Sequence, residues 1–508
     1  MKTIILIVFS TLITYINCSS QTLQDSVITK TGKELKGVVL DFSKKTALPY
    51  ANIAVLQKNV GTITNEKGQF SLDITNLDEN DTLSFLYIGY KNKNITIGQL
   101  DSFSVIQLQE NIFNLAEVFV FGDNPDPKQI VKKILENKDV NYKEKTSKSQ
   151  VFIRKRYISD ITNIKFTLKK STFDQLNKKT LDYIEKKMPK HSTSYTDFLG
   201  YLYSSKNKDD TIRLKIDPLK IVSLKEKDLA DSDQLVDNFE KMFANTSEKE
   251  FWKVKSGIFS SKIELDEKND KSKSDSLKKI YKNQMNLKYY SRRIRNNLDY
   301  SLLNDKKDWE FLYQTGKYNY TLAGGANVKG EDVYIIDFTP KRSGSYEGRI
   351  YVAMNTFALV RADYGYAPGK TGRNIQIIGI GYSQNYYRAS IFFEKKDATY
   401  NLKYFSKETG SRQSVNRSLS LIKKRKRFLI NKKLNEIKAD VKLSINTKES
   451  VEMLVIKKEE ILHNKFANFK QKTHAKVIYV DRFNDNLWKG FSIIEPTKQM
   501  RDYKKLEE

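Results

Sequence analysis

Few side chains in this sequence stand in a spacing that could support catalysis or metal binding. Cys18 is the only cysteine, so the chain can build neither an internal disulfide framework nor a thiolate metal site. The three histidines, His191, His463 and His474, lie too far apart for a local zinc signature. The sequence has no nucleophile elbow, zinc-protease motif, phosphate-binding loop or dinucleotide-binding glycine pattern. We therefore predict no catalytic residue, no metal and no cofactor.

The densest basic run is the best candidate for contact with an anionic surface. It follows alternating serines and leucines at residues 418–421, which predict a strand. Clustered cations bind anionic lipid headgroups, each contributing about 1 kcal/mol near the surface. The alternative, which the pattern favours, is a solvated strand end or hairpin tip. The run consists of Lys423, Lys424, Arg425, Lys426 and Arg427.

A second basic group stands beside aromatic residues. Its members are Tyr289, Tyr290, Arg292, Arg293 and Arg295. Guanidinium groups and rings together could grip a polyanion. The favoured interpretation is an exposed helix face with stacked tyrosines.

The net charge of +28 is spread along the whole chain and forms no single block. This distribution favours solvated, lysine-rich faces, because charge alone specifies neither fold nor partner. An exported protein rarely meets nucleic acid, so we predict no nucleic-acid partner. The partners left open are a lipid, a glycan or an outer-membrane protein of the envelope, with peripheral membrane association as one form. The oligomeric state is also open.

The first twenty residues predict export. Lys2 supplies a positive start, residues 4–16 are mainly apolar, and small residues follow at positions 19 and 20. This apolar run is too short to span a bilayer, so residues 1–20 are predicted to be a secretory signal peptide. The predicted location is the periplasm or the outer membrane.

Cys18 allows two interpretations of this leader. It could be the lipidated cysteine of a lipoprotein, or it could be removed with the signal peptide so that the mature chain begins at Gln21. The second is favoured, because Asn17 stands where lipoprotein signals usually carry a small residue.

The elements that follow predict a mainly β protein with several cores. The chain has 508 residues, of which 39% are hydrophobic and 12% aromatic, enough to build two to four domains. Residues 34–110 contain about seven short stretches of alternating polarity, separated by turn signals such as residues 65–68. This spacing predicts an immunoglobulin-like β-sandwich.

The same stretch resembles the carboxypeptidase regulatory-like, or transthyretin-like, domain family. The resemblance rests on Gly37 and on residues 49–52, 61–62, 65–70 and 88–90. It implies a sandwich without catalytic residues, of the kind that opens exported envelope proteins of Bacteroidetes type. We expect Gly68 and Gly89 to adopt positive φ and Phe70 and Tyr90 to fill the core. None of these residues is predicted to form a site.

Residues 111–148 are predicted to be a connector. Residues 115–120 form an extended segment, and two prolines end it at positions 125 and 127. Asp126 is the expected N-cap of a short helix that begins at Pro127 and ends near Asn137.

Residues 149–490 are predicted to form a larger β-rich α+β domain, followed by a C-terminal tail at 491–508. Residues 150–158 and 163–168 should be hairpin partners, and 231–243 an amphipathic helix. Residues 266–276 should form a loop or helix tip. Gly379 should kink a strand, and residues 487–496 should anchor a final strand.

The strand series from residue 318 to 406 resembles the antiparallel half-barrel of outer-membrane lipoprotein carriers. That resemblance implies a concave face able to hold an apolar ligand such as a lipid chain. Together these patterns predict a non-catalytic envelope protein that binds or assembles an envelope component. A secreted hydrolase stays open as an alternative, because catalytic carboxylates need not be neighbours in sequence. A surface adhesin is the third candidate.

Overall fold

The computed structural model describes residues 33–503, except 59, 114–124, 175, 208–210, 226–248, 258, 264–283, 329 and 429. The signal peptide with Cys18, the segment 115–120, the helix predicted at 231–243 and the loop predicted at 266–276 therefore lie outside the described residues. In the described part the chain is mainly β, as predicted. No helix there combines the length and the apolar character needed to cross a bilayer.

The chain opens with a seven-stranded sandwich. Its strands are β1 Glu34–Asp41, β2 Asn52–Val55, β3 Gly61–Ile63, β4 Gln69–Asp73, β5 Thr82–Leu86, β6 Lys93–Thr96 and β7 Phe103–Leu108. One sheet has the order β4-β1-β7 and the other β3-β2-β5-β6. Phe70 and Phe85 meet edge to face in the core between them, with ring centroids 5.7 Å apart. The predicted sandwich is confirmed.

The glycines of the sandwich have the roles expected of them. Gly68 and Gly89 have φ of 71° and 85°, a region in which a side chain is strained. Gly37 is needed for a different reason, since a Cβ there would lie 2.3 Å from the carbonyl oxygen of Ser104. Phe70 is fully buried as predicted. Tyr90 is partly exposed, and its hydroxyl donates to Asp41 over 2.7 Å.

A fourteen-stranded open sheet forms most of the second region. Its main path runs β14-β15-β16-β17-β19-β20-β21-β8-β9-β10-β23, with β11, β12 and β18 attached at its side. All its pairings are antiparallel except that of β10 with β23. The first strands along the chain are β8 Ser147–Ser171, β9 His191–Lys206, β10 Ile212–Lys225, β11 Glu250–Ser256 and β12 Phe259–Ile263. The later ones are β14 Tyr318–Val328, β15 Glu331–Pro340, β16 Tyr346–Ala353, β17 Leu359–Tyr366, β18 Asn374–Ile377, β19 Ile380–Lys396, β20 Thr399–Arg425, β21 Lys432–Glu460 and β23 Ile478–Val480. Two short strands, β13 Gln284–Asn286 and β22 His474–Lys476, pair separately.

The length of the central strands corrects one prediction. Residues 150–158 and 163–168 are not hairpin partners, because both belong to the single 25-residue strand β8. The polar residues between them stay in the ladder, where a register shift beside Ser444 absorbs one residue of β8. Pairing with β21 on one side and β9 on the other holds β8 extended.

The prediction for Gly379 was also wrong. Residues 378 and 379 form the turn between β18 and β19 and do not kink a continuous strand. Ile378 and Gly379 have φ of 43° and 73°, the combination that a tight two-residue hairpin requires.

Seven α-helices lie in the described residues. They are α1 Pro127–Glu136, α2 Lys138–Asn141, α3 Lys178–Lys187, α4 Leu287–Ser301, α5 Glu310–Tyr313, α6 His463–Asn468 and α7 Lys498–Arg501. Helix α1 begins as predicted, with Pro127 in its first turn and the Asp126 carboxylate accepting from the Lys128 amide over 2.9 Å. Short 3-10 helices lie at Ile97–Gln99, Thr315–Lys317 and Asp485–Trp488.

Helices pack on the face of the sheet that was expected to hold a lipid chain. Ile130, Val131 and Ile134 of α1 join the main core, as do Ile294 and Tyr300 of α4. The helices thus cover part of this face with apolar side chains. An apolar ligand on the rest of the face stays a prediction.

The C-terminal segment also differs from the prediction. Residues 487–496 form no strand but a 3-10 turn and an irregular stretch. This stretch lies between the sandwich and the large sheet. Thr62 donates to the carbonyl oxygen of Ile493 over 3.1 Å, and Arg154 donates to that of Ile494 over 2.9 Å.

Candidate functional site

An open cleft of about 370 Å³ lies at one end of the large sheet. Three segments meet there: the turn that leads into α5, the loop between β15 and β16, and the loop after β17. We call it the tyrosine cleft. It is lined by Lys306, Lys307, Glu310, Gln314, Ser345, Tyr346, Tyr366 and Gly372.

Two tyrosines form the floor of the tyrosine cleft. Tyr346 of β16 and Tyr366 of β17 stand opposite each other in the antiparallel ladder. Their rings are stacked, with centroids 5.3 Å apart and planes 22° apart. Tyr346 is buried, at 2% exposure, so the partly exposed ring of Tyr366 is the aromatic surface that the floor offers, and cross-strand pairing fixes it in place.

Buried aromatic residues support this floor from behind. Tyr364 contacts the rings of Tyr346 and Trp309 at centroid distances of 5.4 Å. Its hydroxyl lies 2.9 Å from that of Tyr300 and donates to the carbonyl oxygen of Asp308 over 2.9 Å. Burial raises the pKa of Tyr364 well above that of a free tyrosine, so the hydroxyl stays a neutral donor. This network makes the floor rigid.

The hydroxyl of Tyr366 is the unsatisfied group of the tyrosine cleft. It is buried and has no hydrogen-bond partner among the residues that the structure describes. Burial raises the pKa of Tyr366 to about 12, so the group is protonated near neutral pH. A Cβ at Gly372 would lie 2.2 Å from this oxygen. Gly372 is therefore required for the loop to pass over the ring.

The rim of the cleft is cationic. The one lining carboxylate, that of Glu310, accepts from Lys317 over 2.6 Å and from Tyr318 over 3.0 Å. Burial opposes its ionisation, but these hydrogen bonds lower the pKa of Glu310 below its usual range. Lys306 and Lys307 extend from the rim and are exposed. Their charge is not cancelled by Glu310, which is already paired.

A second, closed contact joins the sandwich to the sheet. Arg361 is buried, pairs with Asp363 over 2.7 Å and lies 4.6 Å from the ring centroid of Tyr87. The Asn52 amide nitrogen beside it is buried without a partner. The space between these groups is about 20 Å³, enough for one water. We interpret this contact as a domain interface and not as a ligand site.

The residues behind the family resemblance thus have a role that the sequence did not reveal. Tyr50 adopts φ of 62° and stacks on Tyr404 of the large sheet, with centroids 4.9 Å apart. Asn65 donates to the carbonyl oxygen of Glu495 over 3.1 Å. These turns dock the sandwich onto the sheet and the C-terminal segment.

Two histidines make contacts that resemble parts of a catalytic constellation. His191 lies 2.6 Å from Asp160 and 3.0 Å from Thr193, all on the adjacent strands β8 and β9. None of the three lines any of the clefts described above. His463 lies 3.3 Å from Ser205, beside a space of only about 40 Å³. Neither contact adjoins the tyrosine cleft, the one space of substrate size among the clefts described for this part of the chain.

The basic run at 423–427 lies where β20 ends and the turn to β21 begins. Lys423 is buried and pairs with Glu250 over 3.1 Å, and Arg425 pairs with the same carboxylate over 2.7 Å. Lys424, Lys426 and Arg427 extend toward the end of the hairpin. Two of the five predicted contacts therefore share one carboxylate within the chain.

The second basic group does not form a joint binding surface for a polyanion. Residues 289–295 lie on α4, as predicted, but Tyr290 packs against Phe198 with ring centroids 5.4 Å apart. Tyr289 is exposed, and Arg293 pairs with Glu449 over 2.9 Å. The two tyrosines point in different directions and cannot stack together on a ligand.

The carboxyl of Glu452 gives a prediction for pH dependence. Tyr404 donates to it over 3.0 Å, and burial raises the pKa of Glu452 although Arg154 opposes the shift. Ionised Glu452 should therefore destabilise the fold increasingly as pH rises through this raised pKa, and not at all below the ordinary glutamate pKa. We expect Glu452→Gln to gain stability over the natural chain as pH rises from 4 to 8, measured by urea unfolding.

Glu436→Gln is the control of opposite sign. A hydrogen bond from Lys433 lowers the pKa of Glu436, so its stabilisation is present above the ordinary glutamate pKa and lost as pH falls. The free energy of unfolding of this variant should be lower than that of the natural chain at pH 8 and equal to it at low pH. A stability difference for Glu452→Gln that does not change with pH would contradict the assignment.

Comparison with known proteins agrees with the first domain. Residues 35–120 match the sequence model of the CarboxypepD_reg-like domain. The chain therefore carries a carboxypeptidase regulatory-like domain, as the resemblance predicted, over about a sixth of its length. No protein of curated function shows significant similarity to the chain.

Several solved structures are weakly similar. MucB in complex with MucA(peri) has 10% identity and a TM-score of 0.16, with 62% of this chain and 94% of MucB covered. The MucA/MucB complex of Pseudomonas aeruginosa has 9% identity and a TM-score of 0.15, with the same coverage. A Bacteroides fragilis NCTC 9343 protein of unknown function, described as membrane-associated, has 9% identity and a TM-score of 0.13, with 83% and 97% covered. Similarity at this level carries no argument about function.

Proposed function

We propose that this chain is an exported, non-catalytic protein of the bacterial cell envelope that binds an anionic glycan in the tyrosine cleft. The observation that carries the proposal is the cleft itself, in which the partly exposed Tyr366, stacked on the buried Tyr346, lies beneath exposed lysines. The export pattern of residues 1–20 and the carboxypeptidase regulatory-like domain support the location.

The chemistry of the cleft favours a sugar ring that bears a carboxylate or phosphate. The face of an aromatic ring packs against the C–H face of a sugar, and the partly exposed ring of Tyr366 is available for this contact. Lys306 and Lys307 would attract the anionic group. A lipid chain fits less well, because the lining combines lysines and hydroxyls with the rings.

Binding can be tested with an acidic and a neutral oligosaccharide of equal length, a galacturonic acid hexamer and maltohexaose. We expect calorimetry to detect binding of the acidic hexamer alone. Tyr366→Ala should weaken it about tenfold, the loss of roughly one aromatic contact. The matched control is Tyr386→Ala, which removes a tyrosine near Lys448 outside the cleft.

The outcomes separate the candidate functions. Equal affinity for the two hexamers would show that Lys306 and Lys307 do not attract the anionic group. Absence of binding to both hexamers would overturn the proposal. Release of shorter sugars during the titration would make the chain a hydrolase instead. A drop in affinity for Tyr386→Ala equal to that of Tyr366→Ala would place the ligand elsewhere.

A further inference from the structure

We infer that the turn between β20 and β21 is a contact site for an anionic lipid bilayer. We call residues 423–428 and 430–433 the hairpin tip. Phe428 is 101% exposed and Ile430 is 81% exposed, the two highest values among the large apolar residues in the described chain. Neither side chain packs on the protein, so their apolar surface is available to another phase.

Cations surround these two apolar residues. The sequence from 423 to 433 contains seven lysines and arginines and no acidic residue. Lys424 stands opposite Lys433 in the ladder, and Arg425 stands opposite Lys432. Like charges that face each other across two strands are unfavourable. Glu250 pairs with Lys423 and Arg425, and Glu436 pairs with Lys433, so three of the seven cations have a carboxylate within the chain. An anionic surface would relieve the repulsion among the others.

The hairpin tip also reaches far from the main core. Lys407 of β20 pairs with Asp308 at the base of the aromatic network, whereas Arg425 lies at the tip. At roughly 3.3 Å per residue, this separation is about 60 Å along the strand. β21 pairs with β20 along the whole distance, so the projection is a supported ribbon.

The exposed Phe428 and Ile430 distinguish between two anionic partners, a soluble polyanion and a lipid bilayer. A soluble polyanion would need only the cations, and exposed phenylalanine and isoleucine would add nothing to its binding. A bilayer takes both, because apolar side chains enter the acyl boundary while lysines contact the headgroups. This site is independent of the tyrosine cleft and goes beyond the glycan-binding proposal.

Vesicle sedimentation tests the inference. The protein is the mature chain from Gln21, so that neither Cys18 nor the apolar leader can carry it to lipid. The vesicles are phosphatidylcholine alone or a 3:1 mixture with phosphatidylglycerol. We expect binding to the mixed vesicles only, and a loss of about tenfold in partition for the double variant Phe428→Ser/Ile430→Ser.

The control is the double variant Phe103→Ser/Val105→Ser. It removes an exposed aromatic and an exposed aliphatic residue at the same spacing on the sandwich, at 56% and 54% exposure. It should bind vesicles like the natural chain, and matching circular dichroism should show that both variants fold. Undiminished binding by Phe428→Ser/Ile430→Ser would overturn bilayer contact and leave a charge-only site. Binding of the natural chain to the vesicles of pure phosphatidylcholine, or to neither kind of vesicle, would also overturn bilayer contact.

Discussion

Replacement of Asp197 by alanine is expected to lower the free energy of unfolding of the large sheet by about 3–5 kcal/mol. Asp197 is fully buried and accepts two hydrogen bonds from Arg154, over 2.9 and 2.7 Å. Without it the guanidinium remains buried and loses its two carboxylate hydrogen bonds, keeping the one to the Ile494 carbonyl oxygen. The three tryptophans all lie in the second region, so urea titration of their fluorescence reports on this sheet.

The chain offers a matched control. Asp337 and Arg349 form the same two-bond pair directly across β15 and β16, over 2.6 and 2.8 Å, but both side chains are about two-fifths exposed. Water solvates the arginine when its partner is removed, so Asp337→Ala should cost about 0–1 kcal/mol. Equal losses for Asp197→Ala and Asp337→Ala would show that burial is not the cause.

The second large effect is expected for Trp488→Ala, at about 3–5 kcal/mol. Trp488 is 3% exposed and meets Phe152 edge to face, with centroids 5.5 Å apart. Lys220 lies 5.4 Å from its ring centroid and donates to the neighbouring Leu487 carbonyl oxygen. Removal of the indole leaves a cavity between the C-terminal segment and the sheet. Urea unfolding measures the loss.

Phe428→Ala is the control for this variant. The substitution removes a fully exposed aromatic side chain. The free energy of unfolding of the variant should therefore stay within about 0.5 kcal/mol of that of the natural chain. A small loss for Trp488→Ala would mean that the C-terminal segment is dispensable. In that event the contact of Arg154 with the Ile494 carbonyl oxygen would have no energetic weight.

The sandwich could be predicted because its signals are local. Alternating residues such as Leu35 and Val39 of β1 face its core, and the turn between β3 and β4 has its own asparagine and glycine, Asn65 and Gly68. The helix after Asp126 was predictable for the same reason. Asp126 and Pro127 are neighbours in sequence and form the cap together.

The large sheet could be predicted only in part. Residues 159–163, four of which are polar, resemble a turn, but pairing with β21 almost three hundred residues later keeps them extended. The tyrosine cleft depends on contacts of the same kind. Tyr346, Tyr366 and Lys307 are unremarkable in the sequence and become a surface only when three segments meet. Exposure at the hairpin tip was likewise hidden, although its charge was visible.

The pairing of β8 with β21 also determines when this protein can finish folding. Ser147 pairs with Glu460, and Asn65 bonds to a carbonyl that follows 430 residues later. The middle of the sheet cannot close until nearly the whole chain is present, and contacts this distant in sequence form slowly. β8 exposes unpaired edges during that interval, which invites aggregation. Folding of this chain, in the periplasm if it is exported as we propose, should therefore depend on a chaperone far more than folding of its sandwich alone.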